Sequence, residues 1–352
     1  MSSFSAYLTK MEKNISIVTT KIPHHSRHSG YEQLINYLNH VEIKHVDRGH
    51  SKNQIGLTIE RILRRFSASR WYQWDGVLGD LFALKKLKEP NAIVHFLYGD
   101  SMIGLWPYVH RLALGKMVLT IHATPSDLPE VIQYPYLLQE VDAFIVLGDN
   151  QKEFLLAHGV QPEKIHRIHH GVDTVFFKPI EFKPVLQELQ IVMVGNWRRN
   201  FSLYQNMIQQ TQNLPYVFHV VTPEFNHHWF RGLKNTKLYS GISDESLRAM
   251  YQFSDVMVMG VTDAVANNVL LEAASCGLPI ICEDVGAVRD YFSRDAITYV
   301  NSNDVSAVIH LLQLLHQDRI LLQSKAQRAL QEVQNYSWIE IAKKTTSIYE
   351  SL

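Results

Sequence analysis

Cysteine is scarce in this chain: Cys276 and Cys282 are the only two in 352 residues, and they lie in a patterned apolar stretch without metal-ligand spacing. A disulfide framework and a cysteine-based zinc site are excluded, and the pair reads as reduced core residues of a cytoplasmic protein. Net charge is absent as well. The 34 Lys and Arg residues balance 34 Asp and Glu residues, so no global field attracts nucleic acid. No run of eighteen apolar residues occurs, and a membrane-spanning helix is not expected. The first residues, MSSFSAYLTKMEKN, hold no continuous apolar core of the kind a secretory signal needs. Internal repeats and low-complexity tracts are missing too.

What is present is ordinary globular material, 46% hydrophobic and 19% charged, in a chain longer than one core usually organises. Two domains are therefore expected. Short apolar, β-branched runs at 15–19, 92–98, 117–122, 143–147, 189–195, 216–221, 255–259 and 278–282 read as strands. Segments of helical period at 31–39, 101–114, 203–210, 244–253 and 267–276 fall between them. Strands that recur with intervening helices imply right-handed crossovers and parallel sheets buried on both faces. The alternation restarts at Leu189 after the polar, proline-bearing stretch 176–188, the best candidate for a linker. The expected fold class is α/β, with two doubly wound, Rossmann-like parallel-sheet domains at 1–180 and 187–335 and a ligand cleft at their strand ends.

Three segments carry a resemblance to a known family. Residues 241–286, GISDESLRAMYQFSDVMVMGVTDAVANNVLLEAASCGLPIICEDVG, contain an Asn-Asn-x-Leu-Leu-Glu-Ala run followed by Cys-Gly-Leu-Pro. Residues 146–179 end in Gly-Val-Asp-x-x-x-Phe, and the tail 336–352 reads YSWIEIAKKTTSIYESL. Together they resemble glycosyltransferase family 4, over nearly the whole chain and in the right order. The resemblance implies the GT-B fold, with an N-terminal acceptor domain, a C-terminal domain for the nucleotide-sugar donor, and a terminal helix at 338–352 crossing back. It also implies a retaining hexosyltransferase that uses a UDP- or GDP-sugar on a glycan or lipid-linked acceptor, with no cofactor and no required metal.

Asn267 and Asn268, with Val269 after them, stand where a loop becomes a helix. Unsatisfied N–H groups and the positive end of the helix dipole suit a diphosphate there. Glu272 follows in an apolar helix between Leu271 and Ala273, where a carboxylate needs a partner rather than solvent; the family uses this glutamate on the ribose. In the loop GNWRRNFSL, Asn196, Arg198 and Arg199 are donor-site candidates. Arginine suits bidentate phosphate contact, and Arg199 is preferred over Arg198, which can equally be a surface residue. Gly30 is the one glycine in KIPHHSRHSGYEQL, where the family brings backbone near the donor. The cluster His24, His25 and His28 in the same loop lacks partners at ligand spacing and reads as solvated, not metal-binding. His122 ends the strand VLTIH; the family places a histidine near the donor sugar, and a core histidine with a satisfied backbone bond is the alternative.

The Asp-x-Asp metal clamp of the other large glycosyltransferase class does not occur in this sequence, which leaves arginine, helix termini and backbone amides to stabilise the leaving group. One departure stands out. The family carries two glutamates separated by seven residues; Glu272 fits the second, but the first position holds Ala264. Asp263, its neighbour, is the candidate replacement on the donor sugar, with a turn-capping role as the alternative. His122, Asp263 and Arg199 are thus the candidate catalytic residues. The rival readings are a nucleotide-sugar 2-epimerase and a non-catalytic binding subunit. Finally, residues 59–74, IERILRRFSASRWYQW, interleave arginines with aromatics. They form either an amphipathic helix packed on the first sheet or a peripheral contact with the inner face of a membrane.

Overall fold

A computed structural model describes residues 13–20, 22, 27–47 and 49–352. His24 and His25 lie outside them. The chain forms two compact units. The first holds Leu34–Ile168, the first strand and Ala342–Leu352; the second holds His169–Ile341 and the described residues of the segment 24–33.

In the first unit, β1 (Asn14–Thr20), β2 (Val41–Val46), β3 (Ala92–Phe96), β4 (Lys116–Ile121), β5 (Ala143–Val146) and β6 (Ile165–Arg167) form one sheet in the order β2-β1-β3-β4-β5-β6. All its pairings are parallel. Every residue of β3 and β5 is buried, as expected of strands covered on both faces. His95 is the polar exception inside β3. Its imidazole bonds Thr120 Oγ1 at 2.7 Å and Tyr349 Oη at 2.5 Å. Burial pushes its pKa down to about 3, so the ring is neutral. Tyr349 belongs to the final helix, Trp338–Ser351, whose end is tied to the first sheet by this contact.

The second unit repeats the plan with β7 (Leu189–Val194), β8 (Tyr216–Val221), β9 (Thr236–Tyr239), β10 (Val256–Met259), β11 (Ile280–Glu283) and β12 (Thr298–Val300). The order is β12-β11-β10-β7-β8-β9, again all parallel. Winding outward from β7 to β9, then back across to β10, puts the topological switch between β7 and β10. One face of the sheet packs on the helix Asn268–Ser275, the other on the helices Phe201–Thr211 and Val305–Gln317.

The eight strands expected from sequence are all present, with no end shifted by more than two residues. β2, β6, β9 and β12 were not expected, and these are the four sheet edges. The helix expected at 101–114 is instead three short pieces, Gly99–Met102, Trp106–Val109 and the 3-10 turn His110–Leu112. Pro107 explains the break, since proline is accommodated only in the first turn of a helix. The segment 31–39 forms a 3-10 helix, Tyr31–Tyr37.

Candidate functional site

Two loops leave the sheet of the second unit at its switch point, one after β7 and one after β10, and they are stitched together by backbone. Asn200 N–H donates to Gly260 O at 3.1 Å, Thr262 N–H donates to Arg198 O at 2.9 Å, and Arg199 bridges Val261. Arg198 adopts a left-handed backbone, φ 53°, which turns the chain back toward the sheet. Its guanidinium lies beside the Trp197 ring, 5.8 Å from the centroid.

Arg199 folds back over Gly195, whose φ is 113°. A Cβ on Gly195 would stand 2.5 Å from Arg199 Nη2, so this position requires glycine for the arginine to lie where it does. Its hydrogen bonds run to neutral oxygens: Nε to Val194 O at 2.8 Å, Nη1 to Trp197 O at 3.2 Å and Nη2 to Asn267 Oδ1 at 3.4 Å. The half-buried guanidinium is thereby fixed at the start of the helix Asn268–Ser275. Asn267 occupies the cap position but makes no side-chain bond to its own helix. The first amides, those of Asn268 and Val269, have no acceptor within the helix. Asn196 is held on the other side, accepting from Asn226 Nδ2 at 2.7 Å.

Glu272 lies inside this helix and is 3% exposed. Tyr251 Oη donates to its Oε2 at 3.0 Å, so the partner that burial demands is present. Desolvation raises the Glu272 carboxyl to about 7, against the lowering effect of the Tyr251 bond. Asp263 is half-buried and accepts from Ala264 N–H at 2.8 Å, which is the local bond of the capping alternative. Ala264 itself is buried, and its carbonyl accepts from Ala287 N–H at 2.9 Å.

Glu283 went unnoticed in the sequence. It is 1% exposed at the end of β11. Its carboxylate accepts from Val261 N–H at 2.8 Å, Asn303 N–H at 2.6 Å, and Asn200 Nδ2 at 3.0 and 3.1 Å. It therefore ties the loops after β7 and β10 to the segment following β12. The available signal was an acidic residue closing the apolar run LPIIC.

The remaining candidates stand on other segments of the chain. Gly30, φ 101°, opens the 3-10 helix Tyr31–Tyr37, and the Tyr31 ring sits edge-on to His170 and Trp338. His28 bonds Asp173 at 2.8 Å and stacks on Phe176 with centroids 3.6 Å apart. In the first unit, His122 follows β4. Its Nε2 donates to Leu97 O at 2.7 Å, and its backbone N–H donates to Asp100 Oδ2 at 3.1 Å. The backbone bond of a core histidine is thus in place, on a ring that remains half-buried at the carboxyl edge of its sheet.

Comparison with known proteins bears on the family resemblance and the fold. Residues 188–318, most of the second unit, match the family model for glycosyl transferases group 1. The chain is 24% identical over 297 residues to the phosphatidylinositol N-acetylglucosaminyltransferase GPI3 subunit of Saccharomyces cerevisiae, covering 76% of this chain and 64% of that protein. It is 26% identical over 199 residues to the O-antigen chain mannosyltransferase B of Escherichia coli, covering 49% of this chain and 50% of that protein. The chain spans 62–64% of the length of the first curated relatives it matches. Among solved structures, a glycosyltransferase from Rickettsia africae superposes with TM-score 0.70 at 13% identity, covering 97% of this chain and 99% of that one. Anabaena HepE in complex with UDP-glucose gives TM-score 0.70 at 11% identity, covering 96% and 100%. At such identities the likeness carries the GT-B fold.

Proposed function

We propose that this chain is a retaining glycosyltransferase that moves a hexose from a nucleotide diphosphate sugar to a glycan or lipid-linked acceptor without a metal ion. One observation carries the reading above the others: an arginine held by neutral oxygens beside the uncapped first turn of the helix Asn268–Ser275. A planar guanidinium and converging amides suit the diphosphate of a donor, and they bear on the charge that builds as it leaves. The HepE complex with UDP-glucose supports a nucleotide-sugar donor, and the phosphatidylinositol and O-antigen transferases among the relatives support lipid-linked or glycan acceptors.

In the proposed reaction the bond from C1 of the sugar to the diphosphate oxygen breaks, and a bond from C1 to the acceptor oxygen forms on the same face. The acceptor's proton passes to the departing phosphate oxygen, so no protein nucleophile is required. Arg199 and the amides of Asn268 and Val269 hold the diphosphate, with Asn196 and Arg198 lining the same loop. Glu272 takes the ribose hydroxyls and Asp263 the donor sugar. Positioning and charge stabilisation do the rest.

Incubation with labelled UDP-, GDP- and ADP-sugars tests this. The expected result is slow release of nucleoside diphosphate from one donor, lost in Arg199→Ala. A C2-isomerised sugar would make the chain an epimerase, and binding without turnover would make it a non-catalytic subunit. Either outcome overturns the proposal.

A further inference from the structure

The helix Gln54–Arg64 in the first unit is built inside out. Its fully buried residues are Gly56 and Glu60, with Leu57, Leu63 and Arg64 half-buried. Glu60 is 1% exposed, and its carboxylate accepts from His50 Nδ1 and Arg64 Nη2, both at 2.6 Å, and from Ser51 N–H at 3.1 Å. Gly56 lies so close to the Ser51 side chain that a Cβ there would fall 1.9 Å from its Oγ. Asn53 caps the helix start through Gly56 N–H at 2.7 Å. At the other end Tyr134 Oη donates to Arg65 O at 2.9 Å and Tyr108 Oη to Phe66 O at 2.8 Å. The helix orientation is therefore fixed by polar bonds on its inner side and at both ends.

The outcome is an apolar stripe that faces away from the core. Ile55, Ile59, Ile62 and Phe66 recur at helical spacing, and they are 76%, 41%, 51% and 55% exposed. An ordinary surface helix turns such a stripe inward. Residues 51–74 also contain Lys52, Arg61, Arg64, Arg65 and Arg70 against one acidic residue, the buried Glu60. Arg61, Arg65 and Arg70 are exposed. The chain as a whole is neutral, so this basic excess is local.

We infer that this helix and its continuation to Phe66 seat the chain on an anionic lipid surface, with the isoleucines and Phe66 entering the acyl boundary and the arginines at headgroup level. Interfacial helices combine an apolar face with basic flanks in this way, and long basic side chains keep their charge in the headgroup region. A second copy of the chain fits the same surface poorly, because a two-fold contact would set its arginines against themselves. The inference is independent of the transfer reading, since lipid binding is measured without donor or acceptor.

Flotation of the full chain with vesicles of phosphatidylglycerol in phosphatidylcholine tests it. At low salt the protein should rise with anionic vesicles and not with pure phosphatidylcholine. Arg61→Ala/Arg65→Ala should lower the partition coefficient about 30-fold, from about 1 kcal/mol per basic residue at the surface. Ile59→Ser/Phe66→Ser should abolish flotation with an unchanged melting temperature, because both side chains are exposed. No flotation at low salt, or equal binding to neutral vesicles, overturns the proposal. Self-association broken by Ile59→Ser/Phe66→Ser, with no vesicle binding, would reassign the stripe to a protein interface.

Discussion

Replacing Glu272 with Gln removes a titrating group from between the helices Asp244–Phe253 and Asn268–Ser275 while keeping an oxygen that accepts from Tyr251. Burial lifts this carboxyl from its ordinary 4.5 to about 7, so the folded chain binds the proton more tightly than the unfolded one. At about 1.4 kcal/mol per pH unit, the difference is about 3 kcal/mol. Because the folded value is the higher, that stability is fully present below pH 4.5 and is lost as the pH rises through about 7. Glu272→Gln has nothing to lose over this interval. Its stability relative to the parent should improve by about 3 kcal/mol as the pH rises from about 4 to about 8. Any constant cost of the amide cancels from that slope, and so does Asp80, which burial also raises to about 7 but which titrates in both proteins. Urea unfolding at a series of pH values measures the difference. A flat profile, or one in which the parent gains on the variant, refutes the buried-acid account. The same group has a second readout. Ribose hydroxyls donating to the carboxylate favour its ionised form, so nucleotide binding near pH 6.5 should release a proton, as judged by calorimetry in two buffers of different ionisation enthalpy. No proton release by the parent would remove Glu272 from the ribose.

Asp263→Asn should leave bare nucleotide affinity unchanged while weakening the intact donor and slowing its turnover. A joint fall in nucleotide affinity and melting temperature would make the aspartate a turn cap. Gly286→Ala should destabilise the chain by about 1–3 kcal/mol in chemical unfolding, because φ there is 62° and the added Cβ would lie 2.4 Å from Ala264 O. Wild-type stability would show that the loops after β10 and β11 are not packed backbone to backbone. Glu283→Gln should lower the melting temperature and weaken nucleotide binding together, since its amide turns one acceptor into a donor facing Asn200 Nδ2.

The parts of the fold that could be read from sequence are those where burial writes the pattern. β1, β3, β4, β5, β7, β8, β10 and β11 lie inside their sheets and show as apolar runs. The edges leave no such mark. In β2, VEIKHV, four successive residues are exposed, and β6 and β12 are three residues long. An edge strand has a free side and carries charge or brevity there. The same limit hid parts of the candidate site. That Glu272 needs a partner follows from its flanks, but that the partner is Tyr251, twenty-one residues earlier, follows only from helix packing. Glu283 draws its donors from three separate loops, a relation without any spacing in sequence. The helix Gln54–Arg64 is the sharpest case. Its pattern has the same period whichever face turns inward, and the bonds of Glu60 together with those at the helix ends decide the matter.

The charges around the switch point account for how a polyanion could be received here by protein groups alone. Three carboxylates, Asp263, Glu272 and Glu283, belong to the loops and helix around Arg199, and taken at face value they would outweigh it. Two of them, Glu272 and Glu283, are withdrawn from the surface, 3% and 1% exposed. Glu283 is enclosed by two backbone amides and an asparagine amide, and Glu272 is buried under Tyr251 with its proton held to about pH 7. Arg199 is treated differently, since its described bonds go to two carbonyls and an asparagine oxygen. These acceptors orient the guanidinium without cancelling its charge. A lysine could not span them, because one ammonium on a flexible stem cannot reach Val194 O, Trp197 O and Asn267 Oδ1 together. The arginine is therefore fixed in place while its charge stays available, next to helix amides that point the same sign outward.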